Sequence, residues 1–180
     1  MKGLVFNEFL EMVENKFGFQ MSDSIISQSN LPTNGVYSSV GTYDYKELVS
    51  LVVALSKETN ISVQDLLKIY GEYLFTIFVK NYSVFLVGVD NLFVFLCQVE
   101  EVIHVEVKKL YPDADLPKFK TEIINGKEMN LIYYSNKALY DFAVGLIHGA
   151  ATYYKVNINV DKILQNEQGT EVLLNIKIID

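Results

Sequence analysis

The spacing of apolar residues changes once along this chain, and that change limits the fold more than any other feature. Up to about residue 110, apolar side chains recur every three or four positions, as on a helix with one face against a core. Residues 3–17 place Leu4, Phe9, Leu10, Val13 and Phe17 in this way, with Gly18 as a stop. Pro32 and Asn34-Gly35 interrupt residues 20–45, so one short helix around 22–29 followed by a loop is predicted. Residues 44–58 carry Leu48, Leu51, Val52 and Leu55 on one face. Ser62 then stands as an N-cap, with Asp65 three residues on, before a helix reaching about residue 80. Gly71 falls in the middle of that helix, where Gly costs about 1 kcal/mol relative to Ala. Either it is simply tolerated, or another body packs close to the backbone there. Residues 83–89 are apolar with no clear period. Residues 90–110 read as one long helix, with Leu92, Leu96, Val99, Ile103 and Leu110 along one face.

Tyr111-Pro112-Asp113 ends the helical half, and a period of two takes over. Phe119-Thr121-Ile123 and Met129-Leu131-Tyr133 alternate around Asn125-Gly126, a hairpin signal. Residues 137–152 return to a helix. Its face carries Leu139, Phe142, Gly145, Leu146 and Gly149, a small-residue stripe that permits close approach. Val156-Ile158-Val160 and Val172-Leu174-Ile176-Ile178 alternate again, with a turn around 166–169. The predicted fold is α+β: a helical N-terminal part, then a C-terminal part with a four-stranded antiparallel sheet and a helix. No repeat or linker-like stretch divides it, so residues 1–180 are expected to form a single domain.

Composition narrows function by exclusion. Half of the residues are apolar and 21% are charged, which describes a chain with a substantial core rather than a disordered one. All 15 basic residues are Lys, and there is no Arg and no Trp. No arginine finger, Arg–phosphate fork or Arg–guanine contact can form. A net charge of −7 repels nucleic acid and anionic membrane surfaces. The one cysteine, Cys97, can neither close an internal disulfide nor complete a Cys-rich zinc site, and its apolar setting reads as a small buried hydrophobe. No stretch resembles a signal peptide, and no apolar run approaches the ~18 residues of a membrane span. A soluble, cytoplasmic protein is expected. The chain has no G-x-S-x-G, P-loop or H-E-x-x-H, so nothing points to an enzyme.

Three local features carry chemistry. His104 lies on the flank of the 90–110 apolar stripe, beside Phe93, Cys97 and Val107. A histidine there is commonly a half-buried, hydrogen-bonded side chain; the other reading is an axial ligand to an apolar cofactor. His148 points away from the Phe142–Leu146 face and is expected in solvent, as is the Glu100-Glu101 doublet. Tyr133-Tyr134-Ser135-Asn136-Lys137 offers hydroxyls and a cation beside a helix start. It reads as a capping segment, with Ser135 or Asn136 as the cap, or as a holder for carboxylates at the edge of an apolar pocket.

Taken in order, these segments resemble the heme-nitric oxide/oxygen binding (H-NOX) family, found as stand-alone bacterial gas sensors and as the heme domain of soluble guanylate cyclase. The likeness covers essentially the whole chain. It runs through Met1-Lys2-Gly3, Thr42-Tyr43, the Leu66-Leu67…Gly71…Phe78 helix and Val102-Ile103-His104-Val105-Glu106-Val107. It continues through Leu116-Pro117, Tyr133-x-Ser135-x-Lys137 and Gly145-Leu146-Ile147-His148-Gly149.

The resemblance implies a heme b between the two parts of the chain, with His104 as its axial iron ligand. Tyr133, Ser135 and Lys137 match the family's propionate-holding Tyr-x-Ser-x-Arg, with Lys in the place of Arg. A lysine supplies a point charge but no planar fork. Pro117 matches the proline that presses the heme out of plane. Val5, Phe9, Leu74, Phe78, Phe142 and Leu146 match the distal pocket. Phe142 stands where O₂-binding members carry a Tyr, so the implied function is to bind NO and CO at ferrous heme and discriminate against O₂. Tyr73 and Tyr140 are expected to face elsewhere. The implied signal is loss or weakening of the iron–His104 bond, read by a separate partner. In bacterial relatives that partner is commonly a histidine kinase or a cyclic-di-GMP enzyme. The structural zinc of some relatives is not expected here. The alternative function is a protein-interaction regulatory module of the same fold, with heme weakly held or incidental.

Overall fold

The structure, a computed structural model, describes residues 1–179. Helices α1 (Gly3–Phe17) and α2 (Phe19–Gln28) meet at Gly18, whose φ of 89° suits glycine. The second helix starts three residues earlier than its sequence pattern implies. Helices α3 (Tyr45–Thr59) and α4 (Val63–Asn81) complete the helical half. Ser62 caps α4 as predicted: its hydroxyl accepts from the Asp65 N–H at 3.1 Å and donates to the Asp65 carboxylate at 2.7 Å. Phe6, Phe9, Met12, Leu48, Leu51, Leu55 and Leu66 are fully buried together in this half. The chain start is sewn to the loop before α3: Gly3 N–H donates to Gly41 at 2.9 Å and Tyr43 N–H to Met1 at 2.8 Å.

The expected long helix over 90–110 is not uniform. It is α5 (Leu92–Gln98), a π turn (Val99–Ile103) and α6 (His104–Leu110), and a short 3-10 turn (Ser83–Leu86) precedes it. Val99, Val102, Ile103, Val105 and Val107 are β-branched and weak helix formers, which favours such a departure. The extra residue in the turn rotates the stripe: Leu110, predicted on the buried face, is 63% exposed. Cys97 is half-buried rather than buried.

The sheet orders its strands β1 (Lys118–Asn125), β2 (Glu128–Tyr134), β4 (Glu171–Ile179), β3 (Asn157–Leu164), all antiparallel. The β1–β2 register sets Phe119 opposite Tyr133, Thr121 opposite Leu131 and Ile123 opposite Met129. Phe119 and Thr121 are half-buried on the inner face with these partners, whereas Ile123, toward the end of β1, is 53% exposed. On that inner face Met129, Leu131, Val172, Leu174 and Ile176 are buried under α7 (Tyr140–Tyr153).

The two halves meet where α7 crosses α4. A Cβ on Gly71 would lie 2.4 Å from the Phe142 carbonyl oxygen, and one on Gly145 would lie 2.2 Å from that of Lys68. The glycines therefore mark a backbone-to-backbone crossing, and Gly71 is not merely tolerated. His148, next on α7, is half-buried rather than in solvent. Burial holds its pKa below the ordinary value, opposed by Glu72 on α4 and reinforced by Lys68. Among the described residues, no helix is long and apolar enough to cross a membrane.

Gly145→Ala is expected to cost about 1–3 kcal/mol of overpacking, reduced by the ~1 kcal/mol that Ala restores to a helix. Thermal unfolding would show a melting point several degrees lower. Gly126→Ala, where nothing lies within 4 Å of the new methyl, should leave it unchanged.

Candidate functional site

A cavity of about 320 Å³ opens between the two halves beside this crossing, within the usual size range for small-molecule sites. Its walls are almost entirely apolar. The α4 side contributes Leu74 and Phe78, the α1 side Val5, and the α7 side Phe142 and Leu146. The opposite side comes from the π turn, α6 and the loop to β1, with Ile103, His104, Val107 and Pro117.

Of the residues that the resemblance placed at a heme, the structure brings His104, Pro117, Tyr133, Ser135, Lys137, Val5, Leu74, Phe78, Phe142 and Leu146 to this one cavity. Phe9 is not among its lining residues. It is fully buried in the helical core, edge-on to Tyr70 with ring centroids 5.2 Å apart. Its place on the inner stripe of α1, one turn beyond Val5, carries it past the cavity into the core.

His104 heads α6 with its side chain 14% exposed. Burial lowers its pKa below the ordinary value, opposed by the hydrogen bond that the ring gives to Glu100, so the ring is neutral near pH 7. Its Nδ1 lies 3.1 Å from Glu100 Oε2. An ionised carboxylate only accepts, so Nδ1 carries the proton and Nε2 keeps the lone pair that binds a metal. The Phe119 ring lies 5.6 Å from the imidazole. The Glu100 side chain is 37% exposed, so it stays at the surface as its doublet implied, but it also bonds the His104 ring. The signal that could have found it is its position four residues before His104, on the same side of a helix. Glu101 is the exposed member of the pair.

The polar end of the cavity is built by Tyr133, Ser135 and Lys137. The Tyr133 hydroxyl accepts from Leu139 N–H at 3.0 Å, and Ser135 Oγ accepts from Lys137 N–H at 3.2 Å. Helix α7 begins only at Tyr140, with Leu139 in the cap position and no side-chain cap, so neither Ser135 nor Asn136 caps it. Ala138, at φ 50°, turns the chain before the helix starts. The Lys137 side chain is 10% exposed, and its Nζ donates to the Asp115 carbonyl at 2.9 Å and to the Asp115 carboxylate. Lys2 stands on the same rim, 2.7 Å from Asp113 and 2.9 Å from Thr42 Oγ1. The paired Lys2 and Thr42 hold the Asp113 carboxyl down at about 2. The sequence reading missed Lys2, Asp113 and Asp115, because only the fold brings positions 2, 42, 113 and 137 to one edge.

The hydroxyl behind Phe142 is already committed. Tyr70 is fully buried, stacks on Phe142 at 5.0 Å and donates to the Val5 carbonyl. Tyr82 and Tyr111 line the cavity at its far side. Tyr73 and Tyr140 do not line it, and Tyr140 lies under the Lys162 ammonium at 5.7 Å. The donor set fits a heme: one neutral imidazole with a free Nε2, broad apolar walls, and a lysine with two hydroxyls at one end for carboxylates.

Comparison with known proteins points to one family. The family described as haem-NO-binding matches residues 2–162. The ferrous unliganded H-NOX protein from K. algicida is 38% identical, with 100% of this chain and 97% of that one covered and a TM-score of 0.94. The H-NOX from Shewanella woodyi, solved with IWP-051 in the Fe(II)CO state, is 34% identical over 98% of this chain and 94% of that one, with a TM-score of 0.83. The H-NOX from S. oneidensis in the Fe(II)NO state is 27% identical over 100% of both chains, with a TM-score of 0.91. The chain belongs to the haem-NO-binding, or H-NOX, family.

Proposed function

We propose that this chain is a sensor of NO and CO that holds heme b through His104, discriminates against O₂, and regulates a separate signalling partner. The observation that carries the reading is the apolar cavity with His104 in its wall, its Nδ1 3.1 Å from Glu100 Oε2. Solved relatives in the Fe(II)NO and Fe(II)CO states support the choice of ligands. A bound heme supplies the iron centre at which the diatomic coordinates. Bound O₂ carries partial negative charge and needs a hydrogen-bond donor, which Val5, Leu74, Phe78, Phe142 and Leu146 do not supply. NO and CO need none.

His104 links the cavity to the surface. It heads α6, and Val102 and Val105 beside it are 42% and 46% exposed. With a heme held by His104, loss of that bond would free α6 to move and would change the face carrying Val102 and Val105 for a separate partner.

One observation favours a second reading, a regulatory module that holds heme weakly. The single lysine in the propionate position is already engaged by Asp115.

Ferrous protein in air should show no O₂ complex, whereas NO and CO each shift the absorption spectrum. A measurable O₂ complex, or Tyr73 or Tyr140 bonded to a bound diatomic, would contradict the proposal. His104→Gly should lose heme unless imidazole is added. Lys137→Arg should slow heme loss about 10-fold, the worth of one added charge-assisted hydrogen bond of ~1.5 kcal/mol, with ligand selectivity unchanged. Colourless protein that cannot be reconstituted with hemin would favour the second reading.

A further inference from the structure

Glu100 is the carboxylate bonded to His104, and nothing in the proposed sensing function yet uses it. Its Oε2 lies 3.1 Å from His104 Nδ1 and also accepts from the backbone N–H of Phe119 at 3.2 Å. The two contacts come from different elements. Glu100 and His104 belong to the π turn and the helix that follows it, whereas Phe119 lies in β1, paired with Tyr133 of β2. The carboxylate is therefore anchored to the sheet and presents a fixed oxygen to the imidazole. An exposed ion pair at this helical spacing would be worth little. Here the His104 side chain is 14% exposed and that of Glu100 37%, and the carboxylate oxygen is held at a second point by the Phe119 N–H. Glu101, one residue on, is exposed and has no bond to the ring.

We propose that Glu100 is the positioning residue for the axial histidine, and that through Nδ1 it sets how firmly His104 holds its metal. The inference rests on His104 being the heme ligand. Accepting the Nδ1 proton fixes the tautomer, fixes the ring orientation against Phe119, and makes Nε2 a stronger donor. A stronger donor would hold a heme iron more firmly. Glu100 therefore tunes the sensor toward keeping its histidine bond, and its anchor on Phe119 couples that bond to the sheet.

The test compares heme-loaded wild type with Glu100→Gln, which keeps an acceptor and removes the charge, and Glu100→Ala, which removes both contacts. Resonance Raman of the ferrous unliganded protein reads the iron–histidine stretch. The band should move to lower frequency in Glu100→Gln and further in Glu100→Ala, while Glu101→Gln leaves it in place. Histidine release after NO addition should speed up in the same order. Heme loss should rise about 10-fold or more in Glu100→Ala, as for other partners of metal-bound histidines. If Glu100→Ala does not fold, Glu100→Gln decides alone. A wild-type band that neither variant moves overturns the role of Glu100 and leaves His104 as ligand standing. A wild type that holds heme without an iron–histidine band, or holds no heme, overturns both.

Discussion

The contact on which the rest depends is the crossing of α4 over α7. Two glycines bring the backbones so close that a methyl on either would collide with a carbonyl of the other helix. Each helix belongs to a different half: α4 packs into the helical core, and α7 covers the sheet. The crossing therefore joins two cores that are otherwise separate, and the cavity opens beside it. Its walls come from both sides, so a shift at the crossing and a shift at His104 are changes in the same space.

The cavity is built by segregation of polarity. Leu74, Phe78, Phe142 and Leu146 lie on the same faces of α4 and α7 that carry the glycines. The Tyr70 hydroxyl gives its proton to the Val5 carbonyl. Charged groups gather at one edge, where Lys2 and Lys137 meet Asp113 and Asp115. Asp113 and Asp115 lie on the loop that connects α6 to β1, so that edge is tied to the element carrying His104.

Much of this was legible in the sequence, for local reasons. The Ser62–Asp65 cap, the hairpin after Asn125 and the alternation in β2 and β4 each depend on neighbours a few residues apart. Gly71 left open whether another body approached its backbone, and the stripe with Gly145 only permitted close approach. Three things escaped. The π turn at Val99–Ile103 has no breaker residue to announce it, and an added residue moves Leu110 out of the stripe that periodicity assigned it. Phe9 follows Val5 on α1 at helical spacing, yet core packing takes it away from the cavity. Glu100 looked like half of a solvated doublet because its second partner, the Phe119 N–H, lies nineteen residues away on a strand.

The chain has only two histidines, which makes its central claim directly testable. Proton NMR of the heme-loaded ferrous protein with ¹⁵N-labelled histidine detects ring N–H protons shifted by a paramagnetic iron. The account predicts one such proton, on Nδ1 of His104, lost in His104→Gly with imidazole and retained in His148→Gln. A shifted proton that follows His148, or none on either histidine, would contradict it.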